Sequence, residues 1–211
     1  MFITTFPVGA FQCNCTILAD DEKGEAIIVD PGDEGEKIIA HVRERGFAVK
    51  YLLHTHAHVD HIAATKAVHD ACGGIVCLHA GDQPLYDNIQ MQADFLGLAI
   101  DTALTPVTQN IVHGDVIEAA SLKLGVMHTP GHTPGSVCFH LNSEKILFTG
   151  DTLFMNSIGR TDLWGGDTNQ IMASLKERVI TVAPETTVIC GHGPQTTIGR
   201  ERQMNPFLRG M

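Results

Sequence analysis

The sequence predicts a mixed fold of β-strands and α-helices, arranged as two β-sheets with helices on the outside. Short apolar runs of strand character recur along the chain, and segments with the apolar spacing of amphipathic helices lie between them. Strands come in pairs early, helices are interspersed, and strands return late, an order that suits two packed sheets. Turn sequences such as Asp30-Pro31-Gly32 separate the elements.

The strand predictions depend on runs of aliphatic, aromatic and β-branched residues between turn residues. Strands are predicted at residues 2–6, 15–19, 26–29, 51–53, 75–78, 122–127, 137–140, 146–149 and 187–190. Helices are predicted at residues 34–45, 62–71, 83–98 and 168–182. In the first helix Ile38, Ile39 and Val42 share one side, and Gly46 supplies the stop signal. Met91, in the third helix, is expected to pack in the core.

The composition is typical of a globular protein. The chain has 211 residues, of which 44% are hydrophobic and 18% charged. Because no repeat, low-complexity segment or long linker divides the sequence, one domain over residues 1–211 is the simplest organisation. The 24 acidic and 14 basic residues give a net charge of −10, which disfavours nucleic acid or an anionic membrane as the partner.

Compartment signals point to the cytoplasm. No run reaches the roughly 18 apolar residues of a membrane span, and the N-terminus lacks the basic and apolar leader of a secreted protein. The six cysteines are scattered, several of them within apolar runs. We therefore expect free, buried thiols in a reducing, cytoplasmic environment.

The segment 55–61, Thr-His-Ala-His-Val-Asp-His, carries the sharpest chemical signal. It follows the predicted strand 51–53 and precedes a predicted helix. His56, His58, Asp60 and His61 are potential metal ligands at this junction, and burying so many polar side chains without partners would cost several kcal/mol. Imidazole and carboxylate groups are ligands that Zn²⁺, Fe and Mn accept.

Three later loops each add one further candidate ligand. His132, Asp151 and His192 all follow apolar strands and are flanked by glycines. Loops at strand ends are where a scaffold presents functional groups, and small neighbours allow the backbone to approach an ion. Together with segment 55–61, these loops predict a metal site.

The order HxHxDH, then His, Asp and His, resembles the metallo-β-lactamase superfamily over nearly the whole chain. Within it, the sequence is most similar to the short type II glyoxalases, the hydroxyacylglutathione hydrolases. The similarity to that subfamily lies in Ser-Ile-Gly-Arg-Thr-Asp at 157–162, Gly-His-Gly-Pro at 191–194 with Thr-Thr-Ile-Gly at 196–199, and Asn-Pro-Phe-Leu at 205–208. The resemblance implies an α+β fold, a four-layer αββα sandwich of two mixed sheets flanked by helices.

The resemblance also implies a site for two divalent metal ions, Zn²⁺ or alternatively Fe or Mn. In this resemblance the first ion is held by His56, His58 and His132. The second ion is held by Asp60, His61 and His192, and the Asp151 carboxylate bridges the two ions. Because metal binding lowers the pKa of water from about 15.7 to about 7, a metal-bridging hydroxide is the expected nucleophile. Asp60 is expected to orient that hydroxide as well as to bind metal.

The expected substrate is a small-molecule thioester derived from glutathione, such as S-lactoylglutathione. A thiol with a pKa of about 8.5 leaves as thiolate without a proton donor, whereas an amide nitrogen needs one. Arg160 is the candidate for binding a substrate carboxylate, and the alternatives are a solvated side chain or a pair with Asp162. Because the chain ends at Met211, we expect the C-terminal helical domain of the longer type II glyoxalases to be absent.

Other functions compete with this hypothesis. A mononuclear iron persulfide dioxygenase shares the fold and much of the motif, but it needs O₂. A β-lactamase is disfavoured because no dedicated proton donor for amide cleavage is evident, and a nucleic-acid-processing enzyme is disfavoured by the net charge. A non-catalytic metal-binding module would be favoured if the ligand set were incomplete.

Some polar residues near the ligand segments have more than one interpretation. His54 and His128 adjoin those segments, and each either orients a ligand or has a structural role. Asp30 is expected to brace a turn below the site rather than to contact metal.

Overall fold

The computed structural model describes residues 1–210, and its strands form two six-stranded sheets. The first sheet contains, in hydrogen-bonded order, β1 (Phe2–Val8), β2 (Cys13–Ala19), β3 (Glu25–Val29), β4 (Ala48–Leu53), β5 (Ile75–Leu78) and β6 (Gln109–Asn110). The β1–β2 and β2–β3 pairs are antiparallel, and the β3–β4, β4–β5 and β5–β6 pairs are parallel. This sheet is therefore mixed.

The second sheet is also mixed. It contains β7 (Val116–Ala119), β8 (Leu122–His128), β9 (Val137–Leu141), β10 (Ile146–Gly150), β13 (Thr187–Cys190) and β14 (Thr196–Thr197), in the order β14-β13-β10-β9-β8-β7. Its β10–β13 pair is parallel, and its other pairs are antiparallel. A short hairpin of β11 (Leu153–Phe154) and β12 (Ser157–Ile158) follows β10.

The helices lie outside the two sheets. They are α1 (Gly35–Arg45), α2 (Val59–Ile62), α3 (Thr65–Cys72), α4 (Gln83–Asp87), α5 (Ile89–Leu96), α6 (Thr168–Ser174) and α7 (Ile198–Met204). Apolar residues of α1 and α3 pack on the outer face of the first sheet. Those of α6 and α7 pack on the outer face of the second. The predicted four-layer αββα sandwich is thus confirmed.

The period-two alternation of the strands builds three separate apolar layers. In β9, Phe139 faces the core between the two sheets, whereas its neighbour Cys138 faces the outer helices. In β3, Ile27 lies between the sheets and Ile28 lies under α1. Strands buried on both faces read as continuous apolar runs, which is why the sequence identifies them readily.

Two predicted helices differ in the structure from their predicted bounds. The segment predicted as one helix at 83–98 forms α4 and α5, because Asn88 leaves the helical conformation and its side-chain amide donates to the Pro84 carbonyl. The segment predicted at 62–71 corresponds to α3, which begins at Thr65. The short helix α2 precedes it and ends at Ile62, and the Ala64 N–H between the two helices donates to the Pro31 carbonyl. Met91, expected in the core, is 41% exposed.

The predicted helix at 168–182 is α6 followed by a π-helical turn at Leu175–Val179. Sequence patterning missed the short strands β6, β7, β11, β12 and β14, and the helix α7, which Thr197 caps through the Arg200 N–H. Within residues 1–210, no helix combines the length and apolar character that a bilayer crossing requires.

Candidate metal centre

The candidate ligands lie where four strands end. His56 and His58 follow β4, and His132 follows β8. Asp151 directly follows β10, and His192 lies two residues after the end of β13. The other two candidates, Asp60 and His61, lie in α2. Backbone hydrogen bonds join the two sheets at this edge: Val137 N–H donates to the Thr55 carbonyl at 2.8 Å, and Asn14 N–H donates to the Gly191 carbonyl at 2.7 Å.

The structure brings all seven candidate ligands together. They form three overlapping groups, and within each group the potential ligand atoms lie within 4.8 Å of one another. The groups are His56, His58 and His132; His56, His61 and Asp151; and Asp60, His61 and His192. The first and third groups are the two sets that the resemblance assigns to separate ions.

Asp151 lies between these two sets. Its Oδ2 is 3.5 Å from His132 Nε2 and 3.6 Å from His192 Nε2, and its Oδ1 is 3.5 Å from His61 Nε2. One carboxylate therefore faces imidazoles of both sets. This is the position that a bridging ligand requires.

Backbone carbonyls orient two of the imidazoles. His132 Nδ1 is 2.7 Å from the Arg160 carbonyl, and His192 Nδ1 is 2.9 Å from the Phe11 carbonyl. A carbonyl oxygen only accepts hydrogen bonds, so each Nδ1 carries the proton. In the neutral ring the Nε2 lone pair then faces the cluster, which is the usual arrangement of a metal-binding histidine.

A buried carboxylate orients His61 in the same way. Asp30 Oδ2 is 3.0 Å from His61 Nδ1, and the Asp30 carboxylate also accepts from the Thr55 N–H and hydroxyl, each at 2.7 Å. His61 Nε2 is then directed at His192 Nε2, only 3.2 Å away. Two nitrogen lone pairs this close repel each other unless a proton or a cation lies between them.

The donor atoms of the cluster fit a metal ion. Four of its atoms are buried without a hydrogen-bond partner within residues 1–210, namely His56 Nε2, His58 Nε2, His132 Nε2 and Asp151 Oδ1. Buried polar atoms almost always have a partner. Imidazole nitrogens and carboxylate oxygens are the ligand atoms that Zn²⁺, Fe and Mn accept, so a divalent cation satisfies these groups.

Protonation states in the cluster also suit a cation. Burial lowers the pKa of His58 to about 3, and the nearby His132 acts in the same direction. Burial likewise holds the pKa of His56 well below its ordinary value. Burial by itself would raise the pKa of Asp60, but the His61 and His192 imidazoles lower it. At neutral pH these side chains are two neutral imidazoles and a carboxylate, the forms that bind metal.

The second set attracts positive charge. Burial opposes a charge on His61, but the neighbouring carboxylates of Asp60, Asp151 and Asp30 raise the pKa of the imidazole well above its ordinary value. Burial also opposes a charge on His192, and Asp60 and Asp151 raise the pKa of that ring. A cation bound here would take the place of that proton, so metal binding would release protons.

Asp82, which the sequence analysis did not single out, connects two of the ligand segments. Its fully buried carboxylate accepts from the Ala57 N–H at 2.9 Å, the Thr133 hydroxyl at 2.7 Å and the Gly135 N–H at 2.6 Å. The loop after β4 is thereby fixed to the loop after β8. Burial raises the pKa of Asp82, and these hydrogen bonds oppose the rise.

Gln92 of α5 holds the same segment from another side. Its Oε1 accepts from the Val59 N–H at 3.1 Å, and its Nε2 donates to the carbonyls of Ala57 and Leu85, each at 2.9 Å. Asp82 and Gln92 were not predicted from the sequence, because a single polar side chain near a helix resembles a solvent-facing position. Their signal lies in tertiary contacts.

Two glycines permit the close packing of the cluster. A Cβ at Gly191 would collide with the Asp151 carboxylate, and a Cβ at Gly159 would collide with the Asp151 carbonyl. The backbone therefore approaches the ligands where only glycine fits.

The remaining histidine candidates have different contacts. His54 is buried, with Nδ1 2.9 Å from the Cys77 carbonyl and Nε2 2.8 Å from the Thr65 hydroxyl. It therefore connects β5 to α3 and contacts none of the candidate ligands through these bonds. His128 Nε2 donates to the Pro134 carbonyl at 2.9 Å and thus contacts the loop that carries a ligand.

Arg160 lies at the rim of the site with its side chain 60% exposed. Its Nε and Nη2 donate to the two Asp162 oxygens at 2.6 and 2.8 Å, which raises the pKa of the guanidinium. The pair with Asp162 is therefore present, and two of the five N–H donors of the side chain are engaged in it. The Arg160 carbonyl, which orients His132, is a contact that no side-chain pattern reveals.

An open cleft with a volume of about 140 Å³ lies over the cluster. His58, Asp60, His132 and Asp151 form one side of it, with Arg160 at the rim. The other lining residues are mostly apolar, namely Phe11, Val59, Leu96, Leu163 and Trp164, with Gln92 as the polar exception. The cluster is therefore accessible to a small molecule.

An αββα sandwich with a histidine and aspartate cluster at one edge defines the class of protein. The chain belongs to the metallo-beta-lactamase superfamily, whose family model matches residues 8–192. It is 38% identical over 209 residues to the hydroxyacylglutathione hydrolase GloC of Haemophilus influenzae, covering 99% of this chain and 98% of that protein.

Two solved structures are similar over almost the full length. The BLEG-1 B3 metallo-beta-lactamase matches with a TM-score of 0.92 and 38% identity, covering 99% of this chain and all of that one. The protein TTHA1623, in a di-iron-bound form, matches with a TM-score of 0.88 and 38% identity, covering 97% of this chain and all of that one. These similarities place the chain in a superfamily of metal-dependent hydrolases.

Proposed function

We propose that this protein is a dinuclear metallohydrolase that cleaves thioesters, with S-lactoylglutathione as the first substrate to test. The observation that carries the proposal is the cluster of seven donor side chains, four of which line an open cleft. The similarity to a hydroxyacylglutathione hydrolase supports the choice of substrate. One catalytic domain over residues 1–211 belongs to the same proposal.

We propose that the first ion is held by His56, His58 and His132, and the second by Asp60, His61 and His192, with Asp151 shared. Divalent ions in such a site supply a water of lowered pKa and polarise a substrate carbonyl. The ligand types suit Zn²⁺, and they also suit Fe or Mn. The di-iron form of TTHA1623 supports a pair of ions.

Asp60 is proposed to orient the attacking water. Its carboxylate lines the cleft, and its Oδ2 is 3.2 Å from His192 Nε2. Because its pKa is lowered, the carboxylate stays ionised and can accept a hydrogen bond from a water molecule. That bond would hold the water with a lone pair toward the substrate carbonyl.

A thioester suits this cleft better than an amide does. A thiol leaves as thiolate because its pKa is about 8.5, whereas an amide nitrogen must be protonated as it leaves. Outside the candidate ligands, the one ionisable side chain among the described residues that line the cleft is Arg160, which does not release its proton. A thiolate can therefore leave from this cleft without a proton donor.

Arg160 is proposed to bind a carboxylate of the substrate carrier. The donors that Asp162 leaves free can form charge-assisted hydrogen bonds at the rim of the cleft. In this arrangement Asp162 holds the guanidinium in place and substrate completes its hydrogen bonds.

The experiment that tests the proposal is the hydrolysis of S-lactoylglutathione by metal-loaded protein, assayed in air and anaerobically. We expect the same rate of thiol release under both conditions, because hydrolysis consumes only water. Strict dependence on O₂ with one iron per chain would instead identify a persulfide dioxygenase. Absence of thiol release under both conditions would contradict thioester hydrolysis.

The similarity to the BLEG-1 B3 metallo-beta-lactamase favours β-lactam hydrolysis as a second candidate function. The same protein preparation tests it with nitrocefin, a chromogenic β-lactam. We expect kcat/KM for S-lactoylglutathione to exceed that for nitrocefin. The reverse order would make the β-lactam the better substrate class.

A further inference from the structure

The apolar side of the cleft continues onto an unusually apolar stretch of surface. Phe11 and Leu96, which line the cleft, are 45% and 40% exposed. Met91 and Phe95, on the same helix as Leu96, are 41% and 66% exposed. Exposed apolar residues scattered singly are ordinary, but a contiguous group beside a binding cleft marks an interaction site.

The helix α5 explains this surface. Its Ile89 belongs to an apolar cluster with Leu85 and Tyr86, and its Ala93 is also buried, so one side of the helix is already packed. The outward side of a surface helix is normally polar, yet Phe95 and Leu96 lie there. These two side chains contribute little to the core, and the cleft is the feature that they adjoin.

Phe11, Leu96, Leu163 and Trp164 form the apolar wall of the cleft, and Trp164 is held in place by contacts within the protein. The Phe95 ring meets the Trp164 ring edge to face, with centroids 5.1 Å apart. Trp164 also approaches the His58 ring, with centroids 6.5 Å apart. A preformed wall loses little conformational entropy on binding, which favours affinity for a group that fits it.

The wall is also uncharged. Outside the candidate ligands, the one basic side chain among the described residues that line the cleft is Arg160, which is paired with Asp162 at the rim. Phe11, Leu96, Leu163 and Trp164 offer a substrate only apolar side-chain contacts, apart from the Trp164 indole N–H. A polar substituent would lose hydration here without gaining partners.

We propose that the wall formed by Phe11, Leu96, Leu163 and Trp164 binds the acyl group of the substrate, and that the protein selects thioesters with a bulky apolar acyl group over those with a small polar one. This inference rests on the proposed thioester hydrolysis. The wall and four of the candidate metal ligands line one cleft, so a substrate whose carbonyl is at the ligands can place its acyl group against the wall.

Trp164, the single tryptophan of the chain, allows a direct test by fluorescence. The metal-loaded protein is titrated with S-methylglutathione and S-hexylglutathione, thioethers that are not hydrolysed and whose alkyl group replaces the acyl group. We expect the hexyl compound to bind at least about tenfold more tightly, which requires burial of only about two of its extra methylene groups.

Two variants localise the effect. Leu96→Ala, at an exposed position where folding is little affected, is expected to reduce the preference for the hexyl compound at least about threefold. Val116→Ala, an exposed apolar residue on an edge strand away from the cleft, is the matched control and is expected to keep the full preference.

Equal affinities for the two thioethers, or an undiminished preference in Leu96→Ala, would overturn the inference. Failure of the proposed function is seen separately, as absence of thiol release from S-lactoylglutathione by the unmodified protein. Hydrolysis of that thioester together with equal thioether affinities would refute only the assignment of the wall.

Discussion

At the residue scale, the environment of Asp30 shows how one carboxylate supports the cluster. It is almost fully buried, it adopts a left-handed backbone conformation with φ of 51°, and it receives hydrogen bonds from Thr55 and His61. Such strain persists only where surrounding contacts over-determine it. The sequence predicted that Asp30 braces a turn, but it could not identify His61 as a partner.

Replacement of Asp60 tests the role of the carboxylate that faces both the cleft and the second set of ligands. We expect Asp60→Ala to lower kcat for S-lactoylglutathione by at least about a hundredfold, because a preorganised polar group at the reacting centre is lost. We also expect metal content to fall. Steady-state kinetics and elemental analysis measure the two effects.

The matched control for that variant is Asp87→Ala, since Asp87 is an exposed aspartate at the end of α4. It should keep both kcat and metal content. An Asp60→Ala protein with full activity would remove this residue from the mechanism.

Arg160→Ala tests substrate binding at the rim. Loss of charge-assisted hydrogen bonds at an exposed position should raise KM about threefold to tenfold and leave kcat nearly unchanged. Kinetics on S-lactoylglutathione provide the measurement, and Arg43→Ala, an exposed residue of α1, is the control. An unchanged KM would mean that the Arg160 side chain does not bind substrate. Its roles would then be the ion pair with Asp162 and the backbone carbonyl that orients His132.

At the element scale, the segments that carry ligands are held by residues from other elements. Asp82, in a short turn before α4, fixes the loop after β4 to the loop after β8, and Gln92 of α5 supports α2. The ligands themselves were predictable because polar side chains at the ends of apolar strands stand out. Their supports were not, because isolated polar residues near a helix resemble an ordinary solvated face.

Asp82→Asn is expected to weaken both stability and metal binding. The carboxamide has one acceptor oxygen where the carboxylate accepts three hydrogen bonds, so a buried donor is left unpaired. The free energy of unfolding should fall by about 3 kcal/mol, and metal affinity should fall about tenfold to a hundredfold.

Chemical denaturation and metal competition titrations measure these two losses. Asp87→Asn, at an exposed site, is the control and should change neither quantity. A stable Asp82→Asn protein with full metal affinity would show that the two ligand loops hold their positions independently of this carboxylate.

The limits of sequence patterning are also clear at the element scale. Long apolar strands such as β2 and β9 were identified, whereas two-residue strands such as β6 and β14 carry no periodicity to detect. The break at Asn88 between α4 and α5 depends on a side-chain hydrogen bond to Pro84 that local propensity does not specify.

At the scale of the whole molecule, the three apolar layers enclose almost all of the thiols. Cys13, Cys15, Cys77, Cys138 and Cys190 are buried, and Cys72 alone among the six is partly exposed. Burial raises the pKa of Cys13, Cys77 and Cys190 to about 12. At pH 8 these groups are protonated as well as inaccessible, and the thiolate is the reactive form.

We therefore expect iodoacetamide at pH 8 to modify Cys72 and no other cysteine of the folded protein. Mass spectrometry of the intact protein measures the number of labels, and peptide mapping locates them. Labelling in denaturant is the control and should modify all six. Rapid modification of Cys13 in the folded protein would contradict the packing beneath the cluster.

We propose that seven side chains, presented by both sheets, hold a pair of divalent cations, and elemental analysis of the purified, metal-loaded protein counts those ions. We expect two divalent ions per chain, and we expect the second ion to be lost first when Asp60 is replaced by alanine. A protein that saturates at one ion, or binds none while its fold is intact, would contradict it.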